Sequence, residues 1–166
     1  LHKTDVGGVR LGVSGSDDVS AAYDEIVANS KAAEPDAKID GALISAMVAD
    51  GVDCILGAKV DPVFGPIVMF GLGGVFTEVL KDVSFRRAPV SAETARGMID
   101  ELKGAALLKG ARGAEPCDLD AICNAISKLS VIAAAHSEAI ESIEINPLRA
   151  LPNGCIGLDA LIVKRT

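Results

Sequence analysis

Glu144-Ile145-Asn146-Pro147-Leu148, together with the later run Leu158-Asp159-Ala160, reads as a β-hairpin near the C-terminus. Strands are expected over residues 140–149 and 154–164, turning at Pro152-Asn153-Gly154. Alternate residues of a strand face one side, so Glu144 and Asn146 point together, away from Ile143 and Ile145. Asp159 falls on the neighbouring strand, where it can face Asn146. An amide oxygen and a carboxylate, completed by phosphate oxygens and waters, form a typical site for a hard divalent cation such as Mg2+. The same two residues also serve to cap turns on an edge hairpin, and spacing alone leaves both readings open.

Working outward from the hairpin, residues 39–48, 53–61 and 66–70 read as strands. Ala49-Asp50-Gly51 and Asp61-Pro62-Val63-Phe64-Gly65 supply the turns between them, while Gly71-Leu72-Gly73-Gly74 breaks the pattern. Residues 75–80 and 83–89 are again extended, and Val9, Leu11 and Val13 alternate with Arg10 and Gly12 as a short early strand. Short turns between close-spaced strands imply antiparallel pairing. Three helices complete the set. The first is capped by Ser16 or Asp17, carries Val19, Ala22, Tyr23, Ile26 and Val27, and ends before Pro35. Ser91 caps the second, and Asp118 begins the third, with Leu119, Ile122, Cys123, Ile126, Leu129 and Ile132 on its apolar stripe. The expected fold class is therefore α+β: an antiparallel sheet backed by two or three helices, in one unit.

The chain has 166 residues, 17 glycines, no Trp and one Tyr, so its core must be aliphatic. A net charge of −7 argues against nucleic acid as a partner, because neutralising phosphates takes a basic surface. It does not argue against a nucleotide, which needs only a few local donors. Cys54, Cys117, Cys123 and Cys155 form no CxxC pair, and read as reduced core residues of a cytoplasmic protein. No apolar run is long enough for a membrane span, and no signal peptide is visible, so no membrane partner is expected. The start at Leu1 rather than Met reads as a processed or engineered fragment.

Three further groupings are candidates for chemistry. Gly71-Leu72-Gly73-Gly74 lets a backbone approach phosphates, but it is neither a Walker A loop nor a Rossmann fingerprint, and it equally suits a tight turn between buried strands. Lys59, near the end of a strand with Asp61, either holds phosphates as a point charge or is a solvated strand end. His2, on a Gly-rich loop beside Lys3 and Asp5, is an exposed imidazole of the kind that attacks phosphorus, and is equally an ordinary loop histidine.

The runs HKTDVGGVRLGV (2–13), KVDPVFGPIVMFGLGGVFTEVLKDVSFRRAP (59–89), LLKGARG (107–113), EINPL (144–148) and LDA (158–160) resemble, taken together, the ATP-grasp part of NDP-forming acyl-CoA synthetases. That group includes ADP-forming acetyl-CoA synthetase, with succinyl-CoA synthetase as a more distant relative. The resemblance implies that the chain is mostly the second lobe of an ATP-grasp fold. The first lobe, with its phosphate-binding lysines, would then be incomplete. It implies Asn146 and Asp159 as ligands of Mg2+, and Ser45, Ala46 and Met47 as the hinge whose backbone meets the adenine of ATP or ADP. Asp53 stands where the family usually has a ribose-contacting Glu, Gly73 and Gly74 lie near the phosphates, and His2 is similar to a phosphate-carrying His. The implied parent converts carboxylate, CoA and ATP into acyl-CoA, ADP and phosphate through a phosphohistidine. CoA would be bound by domains, or a subunit, outside this chain, and an oligomer is left open. A regulatory nucleotide-binding module fused to a protein acetyltransferase, or a non-catalytic interaction domain, are the other readings.

Overall fold

The computed structural model describes residues 6–48, 50–74 and 81–165, with the side chain of Arg112 excepted. His2 and the extended segment expected over 75–80 lie outside the described residues. The chain divides into two compact units, Leu1–Ala49 and Asp50–Thr166.

The first unit is built on α1 (Ser16–Ala33). Gly15, at φ 80°, occupies the N-cap, so neither Ser16 nor Asp17 caps the helix as expected. Asp17 and Asp18 lie in the first turn and Lys31 in the last, each at the end the helix dipole favours. The Asp18 carboxylate also accepts from the Ser14 backbone N–H at 2.9 Å. Segments 9–13 and 39–48 are not strands. A strand needs a ladder partner as well as a favourable residue pattern, and residues 6–48 supply none. Side chains hold the early segment instead: Arg10 pairs with Glu25 at 3.2 Å, and Asn29 Nδ2 donates to the Gly7 carbonyl at 3.2 Å. With 39–48 outside any ladder, the hairpin expected through Ala49-Asp50-Gly51 does not form.

The second unit holds an antiparallel sheet of six strands: β1 (Val52–Asp61), β2 (Gly65–Leu72), β3 (Val83–Arg87), β4 (Ile140–Ala150), β5 (Cys155–Gly157) and β6 (Ala160–Lys164). The order is β3-β2-β1-β4-β5, with β6 also paired to β4. The turn after β1 is tied by Asp61, whose Oδ1 accepts from the Val63 and Phe64 N–H groups at 2.8 and 2.9 Å. Gly71 and Leu72 continue β2 rather than breaking it. A Cβ at Gly71 would stand 2.6 Å from a Val83 methyl and 2.7 Å from the Asp82 carbonyl, so glycine lets β3 approach closely. The chain turns only afterwards, at Gly74, with φ 61°.

Helices α2 (Ala92–Asp100) and α4 (Leu119–Ala135) cover one face of this sheet, and a short α3 (Ala105–Leu108) lies between them in sequence. Ser91 caps α2 by accepting from the Thr94 N–H at 3.1 Å, and Asp118 caps α4 by accepting from Ala121 at 2.9 Å, both as expected. Cys54, Leu56, Val68, Phe70 and Leu72 from the strands meet Met98, Ile99, Ile122 and Ile126 from the helices in one aliphatic core. Buried Asp82 accepts from the Lys103 and Gly104 N–H groups, both at 2.8 Å, and so fixes the chain entering α3. The cysteines are all free, and burial pushes the Cys54 thiol up to about 12, which keeps it protonated and inert. No helix among the described residues is long and apolar enough to cross a membrane.

Candidate metal and nucleotide site

The strand β4 runs through Pro147, as expected, but changes partners there. Up to Ile145 it pairs with β6, and from Leu148 onward with β5. The strand expected over 154–164 is correspondingly split, with Leu158 and Asp159 at the break. Two backbone hydrogen bonds bridge the break: Asn146 N–H to the Asp159 carbonyl at 3.1 Å, and Leu158 N–H to the Pro147 carbonyl at 2.9 Å. On the other side, β1 advances from Cys54 to Leu56 while β4 covers Leu148 to Ile145, so β4 carries one extra residue. This is a β-bulge, and it reverses which residues face the core. Ile143 is buried before it, and Leu148 and Ala150 after it. The exposed residues Glu144 and Asn146 therefore face away from the helices.

The bulge thus presents Asn146 beside Asp159, joined through their backbones. The Asn146 Nδ2 group donates to Glu144 Oε1 at 3.1 Å, and Asp159 Oδ1 accepts from the Ala160 N–H at 2.9 Å. No group of three or more His, Cys, Asp or Glu able to hold a metal occurs among the described residues. A cage made wholly of protein is therefore not what this site offers. One amide oxygen and one carboxylate suit a cation that keeps waters and takes phosphate oxygens for its remaining positions.

A groove of about 470 Å3 runs along the same open face, lined by Ile55, Gly57, Lys59, Met69, Phe85 and Glu144 among others. Lys59 is exposed on β1, cross-strand from Ile67 and Ser142, and so stands on the face that carries Glu144. Gly57, opposite Glu144 on β4 and Met69 on β2, keeps the floor of the groove low.

Asp53 is engaged. Arg149 donates from Nε to Oδ1 at 2.8 Å and from Nη2 to Oδ2 at 3.0 Å, across the β1–β4 ladder where the two residues are paired. Its hydrogen bonding to the Asp53 carboxylate raises the already high pKa of that guanidinium. Nothing in the sequence singled out Arg149, which lies 96 positions from Asp53; only the bulge puts it on the open face. The Asp53 carbonyl accepts from the Gly73 N–H at 2.7 Å, and a Cβ at Gly73 would meet that carbonyl at 3.1 Å. Gly73 and Gly74 accordingly lie at the β1 end that carries Asp53. In the first unit, Ser45 and Met47 line a separate hollow of about 490 Å3 with Arg10, Tyr23 and Ile44, while Ala46 does not line it.

The family model of an ATP-grasp domain matches residues 1–163. The chain belongs to the ATP-grasp family. Within that family it is 43% identical, over 98% of its length, to an ADP-forming acetate–CoA ligase of Archaeoglobus fulgidus, and it spans 24% of that protein. It is 41% identical, again over 98% of its length, to the β subunit of the Pyrococcus furiosus ADP-forming acetate–CoA ligase I, and spans 70% of that subunit. Among solved structures it matches the dinucleotide-forming acetyl-coenzyme A synthetase 1 of Ca. Korarchaeum cryptofilum, in complex with coenzyme A and Ca-AMPCP, at TM-score 0.94 and 44% identity, over 99% of this chain and 72% of that one. A second structure of that enzyme, with coenzyme A and Mg-AMPPCP and its phosphohistidine segment pointing towards the nucleotide-binding site, matches at TM-score 0.87. The ATP-grasp fold and the kinship with ADP-forming acetyl-CoA synthetases are thereby established, while the chain spans only about a quarter of the A. fulgidus relative.

Proposed function

We propose that this chain is the nucleotide-binding ATP-grasp module of an ADP-forming acyl-CoA synthetase. In this reading, Asn146 Oδ1 and the Asp159 carboxylate hold the divalent cation of Mg·ATP or Mg·ADP. The observation that carries it is the backbone bridge from Asn146 to Asp159 at 3.1 Å, at the point where β4 changes partners. That bridge keeps an amide and a carboxylate together on the open face without burying either. A bound cation neutralises phosphate charge and orients the nucleotide. Lys59 stands along the same groove, where its ammonium suits a phosphate oxygen. Ser45, Ala46 and Met47 are read as the adenine hinge, and Gly73 and Gly74 as a close backbone approach to the phosphates.

In the whole enzyme, the reaction would join a carboxylate to CoA as ATP is converted to ADP and phosphate, through a phosphohistidine. His2 is assigned as a phosphate carrier, with CoA bound by domains or a subunit beyond this chain. The relatives named as ADP-forming ligases, and the Korarchaeum complexes with coenzyme A and metal nucleotides, support this reading. A cytoplasmic location and an assembly with further subunits accord with it.

The test is phosphoryl transfer in the complete enzyme. Wild type should show acid-labile label from γ-labelled ATP, and His2→Asn should lose the part of that label carried on this module. Asp159→Ala should abolish nucleotide-dependent turnover while thermal unfolding stays that of wild type. Full turnover in Asp159→Ala would refute the assignment.

A further inference from the structure

We propose that Glu144 is a positioning residue for this site: its carboxylate accepts from the Asn146 amide and so fixes Oδ1 as the face offered to the cation. The inference rests on the reading of Asn146 as a cation ligand. It assigns Glu144 no place in the coordination sphere.

An asparagine side chain is ambiguous toward a cation. Its amide has an acceptor end and a donor end, and rotation by half a turn exchanges them. A cation is attracted by Oδ1 and repelled by the NH2 group, so an unsupported asparagine offers the wrong end part of the time. An ionised glutamate accepts hydrogen bonds and donates none, so only Nδ2 can face it. The Nδ2 to Oε1 bond of 3.1 Å therefore leaves Oδ1 as the opposite, outward end. The carboxylate also polarises the amide and makes Oδ1 a better donor of electron density, as outer partners do for many metal ligands.

The sheet leaves Glu144 little else to do. Its register partner on β1 is Gly57, which has no side chain, and on β6 it is Leu161, which is apolar. Asn146 is its same-face neighbour two residues along β4. Among the described residues Glu144 has no ion-pair partner within 4.0 Å. Placement and chemistry thus turn Glu144 toward one group, the amide at the bulge.

The experiment uses the complete enzyme, ADP, and Mn2+ as a paramagnetic probe titrated by electron paramagnetic resonance. Glu144→Ala should weaken Mn2+ binding about tenfold, the scale typical of losing an outer partner of a metal ligand. Glu144→Gln replaces the acceptor-only carboxylate by an amide that can also donate to Oδ1, so it loses the orientation and should weaken Mn2+ binding by up to about tenfold as well. In an Asn146→Asp background the ligand has two equivalent oxygens and nothing to orient. There, Glu144→Ala should cost no more than about twofold. Equal weakening by Glu144→Ala in both backgrounds would overturn the inference in favour of a ligand or charge role. An undiminished affinity in Glu144→Ala would overturn it outright. Asn146→Ala separates the two claims: if it leaves Mn2+ affinity unchanged, Asn146 is not a ligand and the underlying assignment fails first.

Discussion

The two faces of the six-stranded sheet use the same strands for opposite purposes. On the face under α2 and α4, Leu56, Val68 and Phe70 are sealed from solvent, each with a relative exposure of 0%. On the other face, Lys59, Phe85, Glu144 and Asn146 are exposed. Strand alternation alone divides β1 this way, with Leu56 and Ala58 buried and Lys59 exposed. On β4 alternation is not enough, and the bulge at Asn146–Pro147 resets it. Stability should therefore reside on one face and ligand binding on the other, with the bulge as the joint between them.

The largest expected effect lies on the covered face. Phe70→Ala removes a fully buried ring from the middle of the core and should destabilise the unit by about 3–5 kcal/mol in chemical denaturation. A loss below about 1 kcal/mol would mean that the helices do not seal this face as described. A smaller effect belongs to the open face. Replacing Arg149 by Met breaks the two-pronged bond to Asp53, but those side chains are 21% and 41% exposed, so solvent screening should hold the cost to about 1 kcal/mol. A loss as large as that of Phe70→Ala would erase the proposed division between the faces.

The smallest effect is a pH dependence. Hydrogen bonds from the Ala121 and Gly154 N–H groups hold the Asp118 carboxyl below its ordinary value of 3.8. A group whose folded pKa is depressed contributes stability above its unfolded value and loses it as pH falls through the folded one. The melting temperature should therefore fall below about pH 4, and less steeply in Asp118→Asn, which still caps the helix but does not titrate. An acid limb of equal steepness in the variant would assign it to other carboxylates, such as Asp61 and Glu101, whose values are lowered in the same direction.

Much of the second unit could be read directly from residue patterns. The caps Ser91 and Asp118, the turn from Asp61 to Gly65 and the apolar stripe of α4 are local signals that formed where expected, except that Ile132 at the far end of the stripe is exposed. The strands over 9–13 and 39–48 failed for a non-local reason: alternation records which side is apolar, not whether a partner strand is present. Glycine 71 was legible as special but not for its cause, since close contact with Val83 is a property of the β2–β3 pair. At the candidate site, Asn146 and Asp159 stood out by residue type and by the run of sequence around them. Arg149, and the part Glu144 takes in orienting an amide, depend on a one-residue shift in register that no periodicity displays.

The central claim is that Asn146 and Asp159 together hold the cation of a metal–nucleotide complex. Its most direct test is Mn2+ titration of the complete enzyme with ADP, followed by electron paramagnetic resonance, in wild type, Asn146→Ala and Asp159→Ala. Each substitution should weaken nucleotide-dependent Mn2+ binding by about tenfold or more, with stability within about 0.5 kcal/mol of wild type, as expected for exposed positions. Wild-type Mn2+ affinity in either variant would contradict the account.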